Sequence, residues 1–219
     1  MSQFFEAVKS GDLDAVRRMV VEDPSWLKAK DPQGLDAFTV ARYARQDAIA
    51  EFLLENGADL SVFAAAMAGS TERVKEHLAA EPSLTSAFSH DGWTALHLAA
   101  FFGKKDAAEA LIAAGANVNA RSLNPMRNTP LHAACAGRSV EIVSLLAANG
   151  ADVNARQEGG WTPLHAAAQN GDVDMAQLLI SLGAQVKTRA ENNQNAMDLA
   201  LTRGNQKMVE LLEENGAAL

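Results

Sequence analysis

The amino-acid sequence predicts an all-α solenoid of stacked helix-turn-helix units with projecting turn or hairpin fingers. Three observations carry this. First, a unit running from a helix-capping residue to a glycine 21 positions later recurs as Asp36 to Gly57, Thr94 to Gly115, Thr129 to Gly150, Thr162 to Gly183 and Asn195 to Gly216. Second, the position seventeen after each cap is always leucine: Leu53, Leu111, Leu146, Leu179 and Leu212. Third, the position three after each cap holds a residue able to bond back across the first helical turn: Thr39, His97, His132, His165 and Asp198. Two short helices cannot cover both of their apolar faces, so each unit needs a copy of itself alongside.

The clearest unit shows how the pattern builds helices. The Thr162 hydroxyl can satisfy an orphan amide of the first turn. Pro163 occupies the first helical position, where a missing N–H costs nothing. His165 plays the part of Glu or Gln in a capping box. Leu164, Ala167 and Ala168 then make a narrow apolar stripe, and Gly171 ends the helix. A second helix from Val173 to Leu182 buries Leu178 and Leu179 and stops at Gly183. The segments Thr129-Pro-Leu-His132, Thr162-Pro-Leu-His165 and Gly150-Ala-Asp-Val-Asn-Ala155 resemble the ankyrin repeat. The resemblance covers nearly the whole chain, as a stand-alone array of about seven repeats like those of bacterial ankyrin-repeat proteins.

In chain order, residues 2–30 form an N-terminal cap whose first helix carries Phe5, Ala7 and Val8 and ends at Gly11. Asp12 caps its second helix, which includes Val16, Met19 and Val20. Lys9, Asp14, Arg17 and Arg18 supply the polar face that an end unit needs. The unit at 31–61 is worn: Asp36 replaces the capping threonine, and Arg45 stands in the helix-ending glycine slot. The unit at 62–90 repeats the first at an offset of 58, matching Phe5 to Phe63, Gly11 to Gly69, Val16 to Val74 and Pro24 to Pro82. Two units in 58 residues leave about 29 each, so the junction at Leu60–Phe63 should lack a projecting finger. His77 falls in a slot that holds leucine elsewhere, and Leu78 is expected to rotate in to replace it.

The units at 91–125, 126–158 and 159–192 are the regular ones, with caps at Thr94, Thr129 and Thr162. The first of these spacings is two residues longer than the second, which predicts a lengthened finger at Arg121–Asn128. Gly137 comes one place early, with Arg138 in the usual glycine slot. In the C-terminal cap, 193–219, Glu210, Glu213 and Glu214 make a polar lid. The expectation is one array across 1–219.

Composition narrows the function. With 19 basic and 27 acidic residues the chain carries a net charge of −8, which argues against nucleic acid or an anionic membrane as partner. The lone Cys135 excludes an internal disulfide and occupies a slot held by alanine in other units, as a small buried residue would. No leader and no transmembrane run is evident, so a cytoplasmic monomer is expected. His97, His132 and His165 should form a ladder spaced by about 10 Å, the separation of packed helices. That is too wide for one metal ion. No nucleophile elbow, phosphate-binding loop or His-Glu-x-x-His is present. The expectation is therefore no enzyme activity, no metal and no cofactor.

The resemblance implies instead a protein-protein interaction module, binding a partner protein on its concave face and finger tips. The residues placed there are Asp91, Trp93, Met126, Asn128, Glu158, Trp161 and Gln194 at the tips, with Tyr43, Phe101, Phe102, Gln169, Asn170 and Arg203 at the ends of first helices. Aromatic residues dominate interface hot spots, and five of this chain's twelve aromatics fall in this set, Tyr43, Trp93 and Trp161 among them. The competing reading has Trp93 and Trp161 merely bracing adjacent turns. A structural, designed or reconstructed scaffold without a selected partner is the alternative function.

Overall fold

The computed structural model describes residues 2–217, which fall into two compact units dividing between Ala65 and Ala66. Its fourteen α-helices carry single antiparallel bridges in place of a sheet among the described residues. In the first unit α1 (Gln3–Ser10) and α2 (Leu13–Glu22) form one antiparallel pair, and α3 (Ala37–Tyr43) and α4 (Asp47–Glu55) the next. A 3-10 turn over Pro24–Lys28 joins the pairs, and α5 (Val62–Ala68) begins as this unit ends. First helix packs on first helix and second on second, α1 against α3 and α2 against α4. Phe4 is fully buried and stacks on Trp26, ring centroids 4.9 Å apart.

The second unit continues with α6 (Thr71–Ala80), α7 (Ala95–Phe101), α8 (Lys105–Ala113), α9 (Pro130–Ala136), α10 (Val140–Ala148), α11 (Pro163–Asn170), α12 (Val173–Ser181), α13 (Ala196–Arg203) and α14 (Gln206–Glu214). Within it α7, α9, α11 and α13 pack side by side, and α6, α8, α10, α12 and α14 form the parallel row. The repeating leucines Leu53, Leu111, Leu146, Leu179 and Leu212 are all fully buried. Each closes its own helix pair, and burying one such side chain stabilises by roughly 2 kcal/mol.

The offset of 58 is visible in the backbone. Adding it to the bounds of α2, α3 and α4 reproduces the bounds of α6, α7 and α8. The bridge Lys30–Asp36 maps onto Phe88–Thr94. Even the seat of the helix-ending glycine is shared, since Gly11 lies against Gln46 as Gly69 lies against Lys104.

The expected irregularities are present. Four fingers close by a backbone bond spanning four positions: Asp31 to Leu35, Ser89 to Trp93, Gln157 to Trp161 and Ala190 to Gln194. In the lengthened finger the bond runs from Ser122 N–H to the Asn128 carbonyl, two positions wider. At the short junction Ser61 caps α5 directly, its hydroxyl accepting from Ala64 N–H. Asp36 serves both sides of this shortened junction, accepting from Thr39 N–H at 2.7 Å and from the Ser61 hydroxyl at 3.1 Å. Arg45 and Arg138 adopt the left-handed conformation usually left to glycine, with φ of 57° and 58°. Gly137 is early for a different reason: a Cβ there would lie 2.0 Å from the Phe101 carbonyl oxygen. His77 is half-buried and Leu78 takes the core position, as expected.

Candidate functional site

The three repeat-equivalent histidines tie neighbouring repeats of the second unit together. Nδ1 of His97, His132 and His165 accepts from the backbone N–H of Thr94, Thr129 and Thr162 at 3.2 to 3.3 Å. The threonine hydroxyls lie 2.8 to 2.9 Å from the same nitrogens. An accepting Nδ1 leaves the ring proton on Nε2, which donates across to the carbonyls of Asn128, Trp161 and Gln194 at 3.0 to 3.2 Å. Both ring nitrogens are thus committed to the fold. Burial holds His97 and His132 down to about 4 and also lowers His165, because imidazolium would lose its hydration. Burial likewise pushes the Cys135 thiol up to about 12, leaving it an inert core residue.

Outside the histidine ladder, the second unit gathers the expected contact residues into two groups. In the first, Trp93 meets Phe101 edge-on at 5.4 Å and lies 5.9 Å from the His97 ring. Phe101 in turn meets Phe102 at 5.1 Å. All three are half-buried, with Asp91 exposed beside them. Bracing and exposure therefore coexist: each ring has an aromatic neighbour and is still only half-buried.

The second group lines a groove of about 340 Å³. Met126, 52% exposed, and Trp161, resting 5.5 Å from the His165 ring, both line it. Ala136 and Ala166 line it from α9 and α11, and Gln169 and Asn170 line it from the C-terminal end of α11. Glu158, exposed, lines it from the finger, its N–H held by the Met126 carbonyl at 2.9 Å.

The remaining residues are scattered. Asn128 is buried, 7% exposed, with its backbone carbonyl taken by His97, so its side chain is not at the surface as the tip assignment required. Asn128 is instead the closing residue of the lengthened finger, its carbonyl accepting from Ser122 N–H as well, while Leu123 in the same finger is 71% exposed. Gln194 is half-buried and bonded to Asn192, and Arg203 is exposed at the end of α13. Tyr43, 43% exposed, belongs to the first unit, at the place that Phe101 holds 58 residues later. Sequence reasoning missed Leu123, Gln157 and the two groove alanines. An apolar residue in a long turn could have pointed to Leu123; nothing marks the alanines before the helices are packed.

The comparisons with known proteins agree with this architecture. The family model described as Ankyrin repeats (3 copies) matches residues 62–157 and 155–219. The chain is 40% identical over 90 residues to the Neurogenic locus Notch protein of Drosophila melanogaster, covering 41% of this chain and 3% of that protein. It is 40% identical over 81 residues to the human Neurogenic locus notch homolog protein 1, covering 36% of this chain and 3% of that one. The chain thus spans about 3% of the length of these curated relatives. A family match over well more than half of the chain, on helix pairs capped and stacked as described, identifies the chain as a member of the ankyrin repeat family.

Proposed function

We propose that the chain is a non-catalytic protein-binding module, a cytoplasmic monomer that holds a partner protein on its finger tips and the ends of its first helices. The observation that carries this is the pairing of an open groove with an aromatic cluster in the second unit, both built from residues that the helix stack does not bury. Partly packed aromatic side chains contribute strongly to binding, because they are already ordered and lose little entropy on contact. The net charge of −8 and the commitment of both nitrogens in each ladder histidine support a binding role over nucleic-acid recognition or metal chemistry.

The test is capture from a lysate of the source organism on the immobilised chain and on a Trp93→Ala/Phe102→Ala double variant. A partner retained by the first and lost from the second, with thermal melts matched, is the expected result. Equal retention by both would remove the aromatic cluster from the binding surface. Absence of any specific partner would favour a scaffold without a selected ligand.

A further inference from the structure

We propose that the groove between Met126 and Trp161 is an anchor site for an extended peptide segment bearing a large apolar side chain between a basic residue and an acidic one. This deepens the protein-binding reading above and rests on it. The groove's volume of about 340 Å³ lies at the small end of ligand pockets. It suits one side chain with its flanking backbone, and no folded surface enters it. Small residues, Ala136 and Ala166, line it together with a thioether and an indole. Such a lining accepts a branched or aromatic side chain of variable shape.

The polar groups say how that side chain is presented. Gln157, Gln169 and Asn170 line the groove with neutral amides, each offering both donors and an acceptor, the complement of an extended backbone. The two ends differ in charge. Glu158 is exposed at the finger end. At the other end the Arg138 guanidinium donates to the Asn170 carbonyl at 3.1 Å and has further N–H groups to offer. The eight residues of α11 separate these ends, about 12 Å at the helical rise. An extended chain covers that length in about four residues. Charge complementarity therefore sets a basic residue over Glu158 and an acidic one over Arg138, with the anchor between them.

The experiment pans a phage-displayed random peptide library on the full chain, then titrates synthetic copies of the enriched peptides by calorimetry. Enriched peptides should share a large apolar residue between Lys or Arg on one side and Asp or Glu on the other, the two charges lying about four positions apart. Ala136 is exposed, so Ala136→Leu fills the groove without entering the core, and it should weaken binding about tenfold or more. Glu158→Lys should abolish the preference for the basic residue while the apolar one persists. Matched thermal melts confirm that both variants fold. Peptides without the apolar anchor, affinities unchanged by Ala136→Leu, or no enrichment at all would each overturn the inference. Peptides weakened by Trp93→Ala/Phe102→Ala but not by Ala136→Leu would also overturn it, while leaving the protein-binding reading intact.

Discussion

Acidification should weaken the second unit through its histidine ladder, and the size of the effect follows from burial. His97 and His132 are 0% and 3% exposed. Each titrates at about 4 in the folded chain against an ordinary value of 6.5. The folded value is the depressed one, so the folded state binds fewer protons than the unfolded state in the window between them. Above that window both states are neutral and nothing is lost. As pH falls through 6.5 the unfolded chain takes up protons that the folded chain refuses, and stability drops until about 4. Between about pH 7.5 and about pH 5 the linkage relation gives a loss of about 2 kcal/mol per histidine, or about 4 kcal/mol for the pair. His165 moves in the same direction.

The measurement is urea unfolding at the two pH values, followed by circular dichroism, for the natural chain and for His97→Gln/His132→Gln. The variant should be less stable near neutrality, because the bonds to Thr94, Asn128, Thr129 and Trp161 are disturbed. Its further loss on acidification should be smaller by about 4 kcal/mol. The carboxylates, His77, His90 and His165 are common to both proteins and cancel in the difference. An equal loss in both proteins would refute the burial argument.

Three substitutions probe the irregular positions. Gly137→Ala should destabilise by about 1–3 kcal/mol in chemical denaturation, because its methyl would overlap the Phe101 carbonyl and force the α7 and α9 ends apart. Arg45→Gly should raise stability by about 0.5–1 kcal/mol, relieving a left-handed arginine at an exposed site. An unchanged midpoint would mean that this residue carries no strain. Asp36→Ala should cost about 1–2 kcal/mol for the lost cap. A double-mutant cycle with Ser61→Ala should show coupling, since the same carboxylate accepts from Ser61. Strict additivity would exclude that link.

Much of the helical plan was legible before any coordinate. Caps such as Thr94 and Asn195 act within four residues, and buried leucines recur at fixed spacing, so both are local properties of the chain. The same holds for the shortened junction at Leu60–Phe63 and the wide finger at Arg121–Asn128, because residue counts alone set how much backbone each turn has. The left-handed positions at Arg45 and Arg138 also follow from register. Tertiary structure decided what depends on which neighbour arrives. The early glycine at 137 has meaning only once the Phe101 carbonyl lies against it. Asn128 shares its place before the cap with Trp93 and Trp161, yet it is buried where it closes the lengthened finger and meets His97. The groove between Met126 and Trp161 exists because two fingers and two helices distant in sequence leave a space unfilled. Spacing along a chain records what each helix needs in order to form, whereas an open surface is defined by the atoms that packing fails to bring there.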